Sequence, residues 1–309
     1  MKKLFACTLL TAAVSQLHAN LLFYDSFNYG PSGTSLGTAG SPTWVKNGAS
    51  PDPTVQNVGG LTYPGLQVSA DTISLQYDGS GVNAGSGAPA ATDGTTISTG
   101  GITTGSLYYS LLMKVTAVQV GAGNGFATGV NLVNGSFMAG LQTLANTAAP
   151  TQPASAAPLM IRSGDQVNQF ATTYQLGTAK TATTADRQWY TGQAFTTGAG
   201  AETVFVVLKY TFDSVNGDSA KLFINPVPGS VEPAAQLTVT AGTALTLNTG
   251  IRSFYVRNNS VEPDAILIDE LRIGDTWEDV TPVPEPSTFG LLGLGLLVLL
   301  ARRCRRSTS

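Results

Sequence analysis

Few residues of this chain have the type and spacing that chemistry needs, and the clearest is a carboxylate in an apolar segment. In the last predicted strand, alternation places Asp269 on the same face as Leu267 and Leu271. Ile273 shares that face, so a face turned to the core would surround the carboxylate with apolar groups. Such a carboxylate needs a partner. Backbone N–H groups, Arg272 or a bound cation are the candidates.

An aromatic pair, Trp189 and Tyr190, is a second candidate. Binding sites on β-sandwiches combine aromatic rings, on which sugars stack, with side chains that hold hydroxyl groups. The pair follows Asp186, Arg187 and Gln188 at the edge of a predicted strand, which is typical of a stacking platform. The alternative is that these rings belong to the core.

Catalysis by histidine or cysteine is excluded once the two ends of the chain are set aside. The only histidine is His18, and the two cysteines are Cys7 and Cys304. Residues 20–282 therefore offer no histidine base, no cysteine nucleophile, no Ser-His-Asp triad and no Cys/His zinc site. Disulfides are excluded too, so the fold depends on its own core. We expect a domain that is not an enzyme.

Charge excludes another class of partner. Between residues 20 and 282 the chain has ten basic and 18 acidic residues, a formal charge of −8. No basic patch is available for DNA or RNA, so nucleic-acid binding is not expected. An acidic surface suits cations such as Ca²⁺.

The first 19 residues have the pattern of a secretory signal peptide. Lys2 and Lys3 give a positive start, residues 4–14 form an apolar run, and residues 17–19 end in a small residue. Cleavage is predicted between Ala19 and Asn20.

The C-terminal 27 residues have three parts in a fixed order. Pro284, Glu285 and Pro286 form a rigid, extended motif. An uncharged run of 13 residues follows at 289–301, which is short for a spanning helix of about 20 residues and predicts a temporary membrane anchor. A buried core helix is the alternative, disfavoured by the glycines and the basic end. That end consists of Arg302, Arg303, Arg305 and Arg306, which place the C-terminus in the cytoplasm and the bulk of the chain outside.

These three parts resemble the PEP-CTERM sorting signal of Gram-negative bacteria. The resemblance covers residues 283–306 and implies recognition of Pro284, Glu285 and Pro286 by an exosortase, a membrane-embedded cysteine protease. It also implies a setting of exopolysaccharide or biofilm production. The organisation is then a signal peptide (1–19), one domain (20–282) and a sorting signal (283–309).

The elements between the two signals are predicted to be strands. Short apolar runs with period-two alternation are separated by turn residues, which is typical of an all-β domain. At least ten strands imply two packed sheets or a barrel. The predicted strands are residues 22–27, 72–77, 106–115, 125–133, 158–162, 203–212, 220–224, 237–240, 250–257 and 265–273. Residues 83–105 and 144–157 are predicted loops.

Three segments resemble concanavalin A-like (LamG-like) jelly-roll β-sandwiches: residues 23–29, 61–66 and 266–274. The resemblance implies that the first and last strands lie side by side. It also implies a structural Ca²⁺ site that joins Asp269 to Asp25. Laminarinase-like members carry Glu-x-Asp-x-x-Glu, and its closest approach here, Glu262 to Asp264, has Leu267 at the next required position.

Together these features predict an exported, exosortase-sorted protein of the cell surface or extracellular matrix. Its β-sandwich would be non-catalytic and structural or adhesive, transiently anchored in the inner membrane. The alternative is a Ca²⁺-assisted carbohydrate-binding module for extracellular polysaccharide. A glycoside hydrolase is a third and weaker interpretation.

Overall fold

The computed structural model describes most of the domain between the two predicted signals. The described residues are 21–29, 33–41, 43–47, 54–56, 59–69, 74–78, 91–117, 133–145, 154–168, 171–245, 250–258 and 265–284. The predicted signal peptide with its predicted Ala19/Asn20 cleavage site, the predicted strand at 125–133 except its last residue, and residues 285–309 lie outside them. Within the described part, no helix is long and apolar enough to cross a membrane.

The described residues form two antiparallel sheets, of nine and eight strands, in a jelly-roll β-sandwich. The strands are β1 (Leu21–Asp25), β2 (Thr34–Ser35), β3 (Val45–Asn47), β4 (Thr54–Gln56), β5 (Ser74–Asp78), β6 (Ala91–Thr96), β7 (Gly105–Ala117), β8 (Ser136–Gln142), β9 (Ser155–Ser163), β10 (Thr173–Thr178), β11 (Gln188–Trp189), β12 (Phe195–Thr196), β13 (Val204–Phe212), β14 (Ser219–Ile224), β15 (Leu237–Val239), β16 (Ser253–Asn258) and β17 (Ala265–Gly274). Two four-residue helices are α1 (Leu36–Ala39) and α2 (Trp277–Val280).

Sheet A has the order β15-β14-β13-β7-β17-β5-β4-β2, and β1 also pairs with β17. Sheet B has the order β11-β10-β9-β8-β16-β6-β3, and β12 pairs with β10. The first and last strands are therefore neighbours, as the jelly-roll resemblance implies, with Tyr24 opposite Arg272 and Asp25 opposite Leu271. Chain closure thus brings the start of the domain beside its end.

The main core lies between the inner faces of the two sheets. Alternation along β7 and β13 predicts this correctly, because the odd-numbered apolar residues of β7 and the even-numbered ones of β13 are buried there. The core members from these two strands are Leu107, Tyr109, Leu111, Met113, Val115, Val204, Val206, Leu208 and Tyr210.

Both sheets also bury apolar residues on their outer faces. On sheet A, Tyr108, Leu112 and Phe205 are covered by α2 and by the segment that holds Leu61 and Leu66. On sheet B, a smaller cluster includes Phe137, Met160 and Tyr255, with Trp189 packed against it. Strands buried on both faces show continuous apolar runs, as β7 and β13 do.

Most predicted strands are confirmed, but the two predicted loops are partly wrong. Residues 91–96 form β6, which pairs with β3 and β16, and residues 155–157 open β9. The strands β8 and β10 were also missed. These strands contain many small and polar residues. They therefore lack the clear alternation of apolar and polar residues by which a strand is recognised in a sequence.

The predicted register of the last strand is wrong beyond residue 269. Glu270 has φ of 55°, and the pairing of β17 with β7 shifts between Asp269 and Arg272, which marks a β-bulge. The extra residue reverses the alternation, so Leu271 joins the main core while Asp269 faces outward with Leu267. Asp269 therefore does not share a face with Leu271 and Ile273.

Candidate functional site

The carboxylate of Asp269 is satisfied by backbone donors. It is 1% exposed, beneath the segment that covers the outer face of sheet A. Its Oδ2 accepts a hydrogen bond of 2.7 Å from the N–H of Leu61, and its Oδ1 accepts one of 2.8 Å from the N–H of Glu270. Asp269 thereby fixes the covering segment to the bulge. Its partners are backbone N–H groups, the first of the three kinds of partner that the sequence suggests for this carboxylate.

The carboxylate of Asp25 has a different set of partners. Its Oδ1 accepts from the N–H of Phe27 at 2.6 Å, and its Oδ2 accepts from Trp44 Nε1 at 2.6 Å and from the hydroxyl of Tyr29. Burial, followed by this bond to Asp25, raises the pKa of the Tyr29 hydroxyl. Asp25 therefore organises the N-terminal segment around buried Trp44.

Both aspartates of the predicted Ca²⁺ site thus accept hydrogen bonds from the protein, Asp25 from Phe27 and Trp44 and Asp269 from Leu61 and Glu270. Among the described residues, no group of three or more His, Cys, Asp or Glu side chains is arranged to hold a metal ion. The shared site of Asp25 and Asp269 stays a prediction from the jelly-roll resemblance.

The bulge residue Glu270 anchors a buried ion pair that the sequence does not reveal. Its Oε2 lies 2.9 Å from Nη2 of Arg272, and both side chains are almost fully buried. Tyr24 donates to Glu270 at 3.1 Å, while the Arg272 guanidinium lies 4.6 Å from the centre of the Tyr24 ring. Burial, and then the charge of Glu270, raises the pKa of Tyr24 to about 12, so this hydroxyl remains a donor.

The domain ends in a short helix with a complete capping box. The hydroxyl of Thr276 accepts from the N–H of Asp279, while Asp279 Oδ2 accepts from the N–H and hydroxyl of Thr276 at 2.9 and 2.8 Å. Burial is the main reason that the pKa of Asp279 is raised, and the nearby Asp275 adds to it. This pairing fixes α2 directly after the last strand.

Four contacts then hold the chain until just before the sorting motif. Trp277, 3% exposed, donates from Nε1 to the carbonyl of Ser230 at 2.7 Å, as a buried cap on sheet A. Ser110 donates to the carbonyl of Val280 at 2.7 Å. The carbonyls of Thr281 and Pro282 accept from the N–H groups of Gly229 and Gln67, each at 2.9 Å. The described chain ends at Pro284, the first residue of the motif.

The predicted platform residues Trp189 and Tyr190 lie on opposite faces of sheet B. Trp189 packs on the outer cluster, over Gly177 and beside Gly135, while Tyr190 packs against the main core. They do not form one platform. Alternation along a strand was the signal that could have separated them, because adjacent side chains point to opposite faces.

Three arginines that the sequence does not bring together lie on the outer side of sheet B, and one of them, Arg162, contacts Trp189. Three guanidinium groups donate to the backbone leading into β8: Arg162 to Val133, Arg187 to Asn134 and Gly135, and Arg257 to Phe137, at 2.7 to 3.1 Å. The Arg162 guanidinium lies 4.6 Å from the Trp189 ring centre, and that of Arg257 lies 4.2 Å from the Phe137 ring centre. We call Arg162, Arg187, Arg257 and Trp189 the arginine face.

Two arginines of this face, Arg162 and Arg187, donate hydrogen bonds to uncharged groups. Among the residues that the structure describes, no carboxylate contacts Arg162 or Arg187, which donate hydrogen bonds to backbone carbonyls and to the side chain of Gln175. Burial lowers the pKa of both guanidinium groups, and the charge of Arg257 lowers that of Arg187 further. Trp189, Arg187 and Arg257 are each partly exposed. The arginine face can therefore present positive charge and an aromatic ring to an anionic ligand.

The buried carboxylates among the described residues are all hydrogen-bonded to other groups of the chain. Each accepts at least one hydrogen bond from a donor of the chain. They are Asp25, Asp218, Asp269, Glu270 and Asp279.

Comparison with known families identifies the C-terminal segment. The PEP-CTERM protein-sorting motif matches residues 282–306. This match confirms the sorting signal and marks the chain as an exported protein that an exosortase processes and sorts to the cell surface. It covers the tail alone and does not describe the domain.

Comparison with solved structures concerns the domain. The chain is similar to an endo-β-1,4-glucuronan lyase from the fungus Trichoderma reesei (13% identity, TM-score 0.41, covering 85% of this chain and 98% of that one). It is also similar to the alginate lyase Aly36B with alginate trisaccharide (15%, 0.44, 83% and 98%) and to the exoplasmic/lumenal domain of VIP36 with Ca²⁺ and mannose (8%, 0.43, 84% and 92%). At these identities the likeness is one of fold alone. The comparison with curated proteins found no match.

Proposed function

We propose that this protein is a non-catalytic structural or adhesive module of the cell surface or extracellular matrix. Its signal peptide directs export, its C-terminal apolar run anchors it transiently in the inner membrane, and exosortase then releases the domain into an exopolysaccharide or biofilm setting. The main support for this proposal is that the sorting motif follows the β-sandwich directly, without a linker between them. The absence of His and Cys from residues 20–282 supports the non-catalytic role.

Export in a Gram-negative host, with and without exosortase, tests this proposal. The wild-type chain is expected to lose its tail and leave the membrane fraction only when exosortase is present. Glu285→Ala, which removes the charge between the two prolines, is expected to remain in the membrane fraction. Glu202→Ala is the matched control, because Glu202 is an exposed glutamate of the domain that is distant in sequence from the sorting motif. This variant is expected to behave as wild type. Equal release of all three proteins would contradict the proposal.

The arginine face favours a second candidate function, binding of carboxylated glycans. Guanidinium groups pair with carboxylates in a defined geometry. Trp189 is partly exposed beside them, with the Arg162 guanidinium over one face of its ring, and aromatic rings of this kind contribute to sugar sites. The domain's overall negative charge opposes an anionic polymer, so binding would depend on this local surface.

A glycan array of acidic and neutral sugars separates the two candidates. Under the second, acidic glycans bind the wild-type protein, Trp189→Ala abolishes binding and Trp189→Phe retains part of it. Tyr190→Phe is the control, because Tyr190 packs on the other face of the sheet. Retained binding in chelator would favour the arginine face, whereas its loss would favour a Ca²⁺-assisted site. If no glycan binds, the structural or adhesive role stands alone.

A further inference from the structure

Exposed apolar side chains gather where the chain leaves the domain. Eight large apolar residues are exposed among those that the structure describes. One of them is Val283, and four others lie on either side of the exit segment, residues 281–283. We call these five the exit collar: Leu21, Tyr24, Val227, Val231 and Val283, which are 41% to 83% exposed. A folded domain usually leaves such residues scattered, so their concentration at one end points to a contact.

Named contacts place the exit collar on both sides of the exit. On one side, Leu21 and Tyr24 line an open cavity of 340 Å³ together with Pro282. On the other, residues 225–233, which we call the exit loop, carry Val227 and Val231 and touch the exit through Gly229. The N–H of Gly229 donates to the Thr281 carbonyl, and Gly229 packs against Val283.

The exit loop is held in place, so its two valines cannot fold back onto the domain. Three prolines restrict its backbone, at positions 226, 228 and 233. Ser230 donates to the carbonyl of Val227 at 2.7 Å and accepts from Trp277. Glu232 accepts from Tyr108 at 2.7 Å and pairs with Lys209 at 2.9 Å. The loop thus presents Val227 and Val231, 71% and 83% exposed, in a fixed direction.

The sequence after the exit limits how far this end can lie from a membrane. Only residues 284–288 separate Val283 from the apolar run that begins at Phe289. Even fully extended, this connection spans at most about 20 Å. The headgroup region of one leaflet is roughly 5 to 8 Å thick. A tether this short gives the exit collar a high effective concentration at the bilayer surface.

We propose that the exit collar rests in the boundary between headgroups and acyl chains while the tail anchors the protein. Apolar side chains and tyrosine are the groups that lie favourably at this depth. Lipid fits this surface better than a protein partner does, because the apolar residues surround the tethered exit on both sides. This inference rests on the membrane anchor of the proposed function.

Single cysteines provide the test, since residues 20–282 contain none. The chain from Asn20 to Ser309, which lacks Cys7 and carries Cys304→Ser, is reconstituted in vesicles of phosphatidylethanolamine and phosphatidylglycerol. An environment-sensitive fluorophore is attached at Val231→Cys or at the control Val215→Cys, sites that are 83% and 87% exposed. We expect a blue shift at residue 231, with quenching by lipid-borne nitroxide, and neither at residue 215. High salt should leave both signals unchanged because the contact is apolar.

Anchoring is measured separately, by resistance of the protein to alkaline extraction. An anchored chain whose probes at 231 and 215 behave alike would overturn the lipid contact and leave the proposed function intact. A blue shift at residue 231 that appears only when exosortase is present in the vesicles would overturn the lipid contact, because it would indicate that the exit collar binds the protease. A chain that alkaline extraction removes would overturn both the anchor and this inference.

Discussion

The backbone N–H of Gln67 donates a hydrogen bond of 2.9 Å to the carbonyl of Pro282, two residues before the sorting motif begins. Gln67 belongs to the segment that covers sheet A, which Asp269 holds in place through Leu61. The end of the domain is therefore part of its outer layer and not a linker. The described chain therefore stays packed on the folded domain until just before residues 284–286.

The capping box should determine the stability of this exit. Thr276→Ala removes the side chain that accepts from the Asp279 N–H and donates to its carboxylate. We expect a loss of about 0.5–2 kcal/mol in the free energy of unfolding, measured by chemical denaturation. Hydrogen exchange at Gln67 and Gly229 should also accelerate. Thr238→Ala, at an exposed position of β15, is the control, and an equal effect there would refute the capping role.

Asp269 should matter for folding through its backbone acceptors. Asp269→Ala leaves the buried N–H groups of Leu61 and Glu270 without this acceptor. Each unsatisfied group costs about 1–3 kcal/mol, so we expect a loss of about 2–5 kcal/mol in the free energy of unfolding. Denaturant titration measures it. A loss below that of Thr276→Ala would show that other donors or waters replace the carboxylate.

Thermal unfolding with and without chelator decides whether Ca²⁺ supports the fold. Because Asp25 and Asp269 already accept hydrogen bonds from the chain, we expect the same melting temperature in excess Ca²⁺ and in chelator. A bound ion would stabilise the folded state by mass action and raise the melting temperature with Ca²⁺ concentration. Such a rise, abolished in Asp25→Asn, would establish the predicted site.

Glu232 should make the stability that its contacts give to the exit loop depend on pH. Burial raises its pKa, but hydrogen bonds from Tyr108 and Lys209 outweigh burial and hold the pKa below the ordinary 4.5. Its contribution is thus present above pH 4.5 and lost as pH falls through the lower folded-state value. Glu232→Gln should cost about 0.5–1 kcal/mol at neutral pH, since the pair is partly exposed. The difference from wild type should shrink in acid, and a constant difference would contradict this.

Sequence patterns predicted the features that repeat along the chain. Alternation in β7 and β13 identified the core face correctly, and the three jelly-roll segments meet in space, where β1 pairs with β17 and Leu61 bonds Asp269. The sorting signal could be predicted because all of its residues lie in one continuous stretch of the sequence.

Features that depend on one residue or on distant ones were not predicted. A single bulge at Glu270 moved Leu271 and Ile273 to the face opposite Asp269, and no local pattern marks it. The arginine face joins residues 162, 187 and 257 to the backbone at 133–137, an arrangement that only the order of strands in sheet B creates. The opposed directions of Trp189 and Tyr190 were not predicted either, although alternation along a strand would have indicated them.

The central claim is that this chain is an exported module processed at its C-terminal signal, and the intact mass of the exported protein tests it most directly. Expressed in a host with exosortase, the mature protein is predicted to begin at Asn20 and end near Pro286, without the apolar run and the arginines. A product that begins at Asn20 but extends through Ser309 would contradict processing and indicate a lasting anchor.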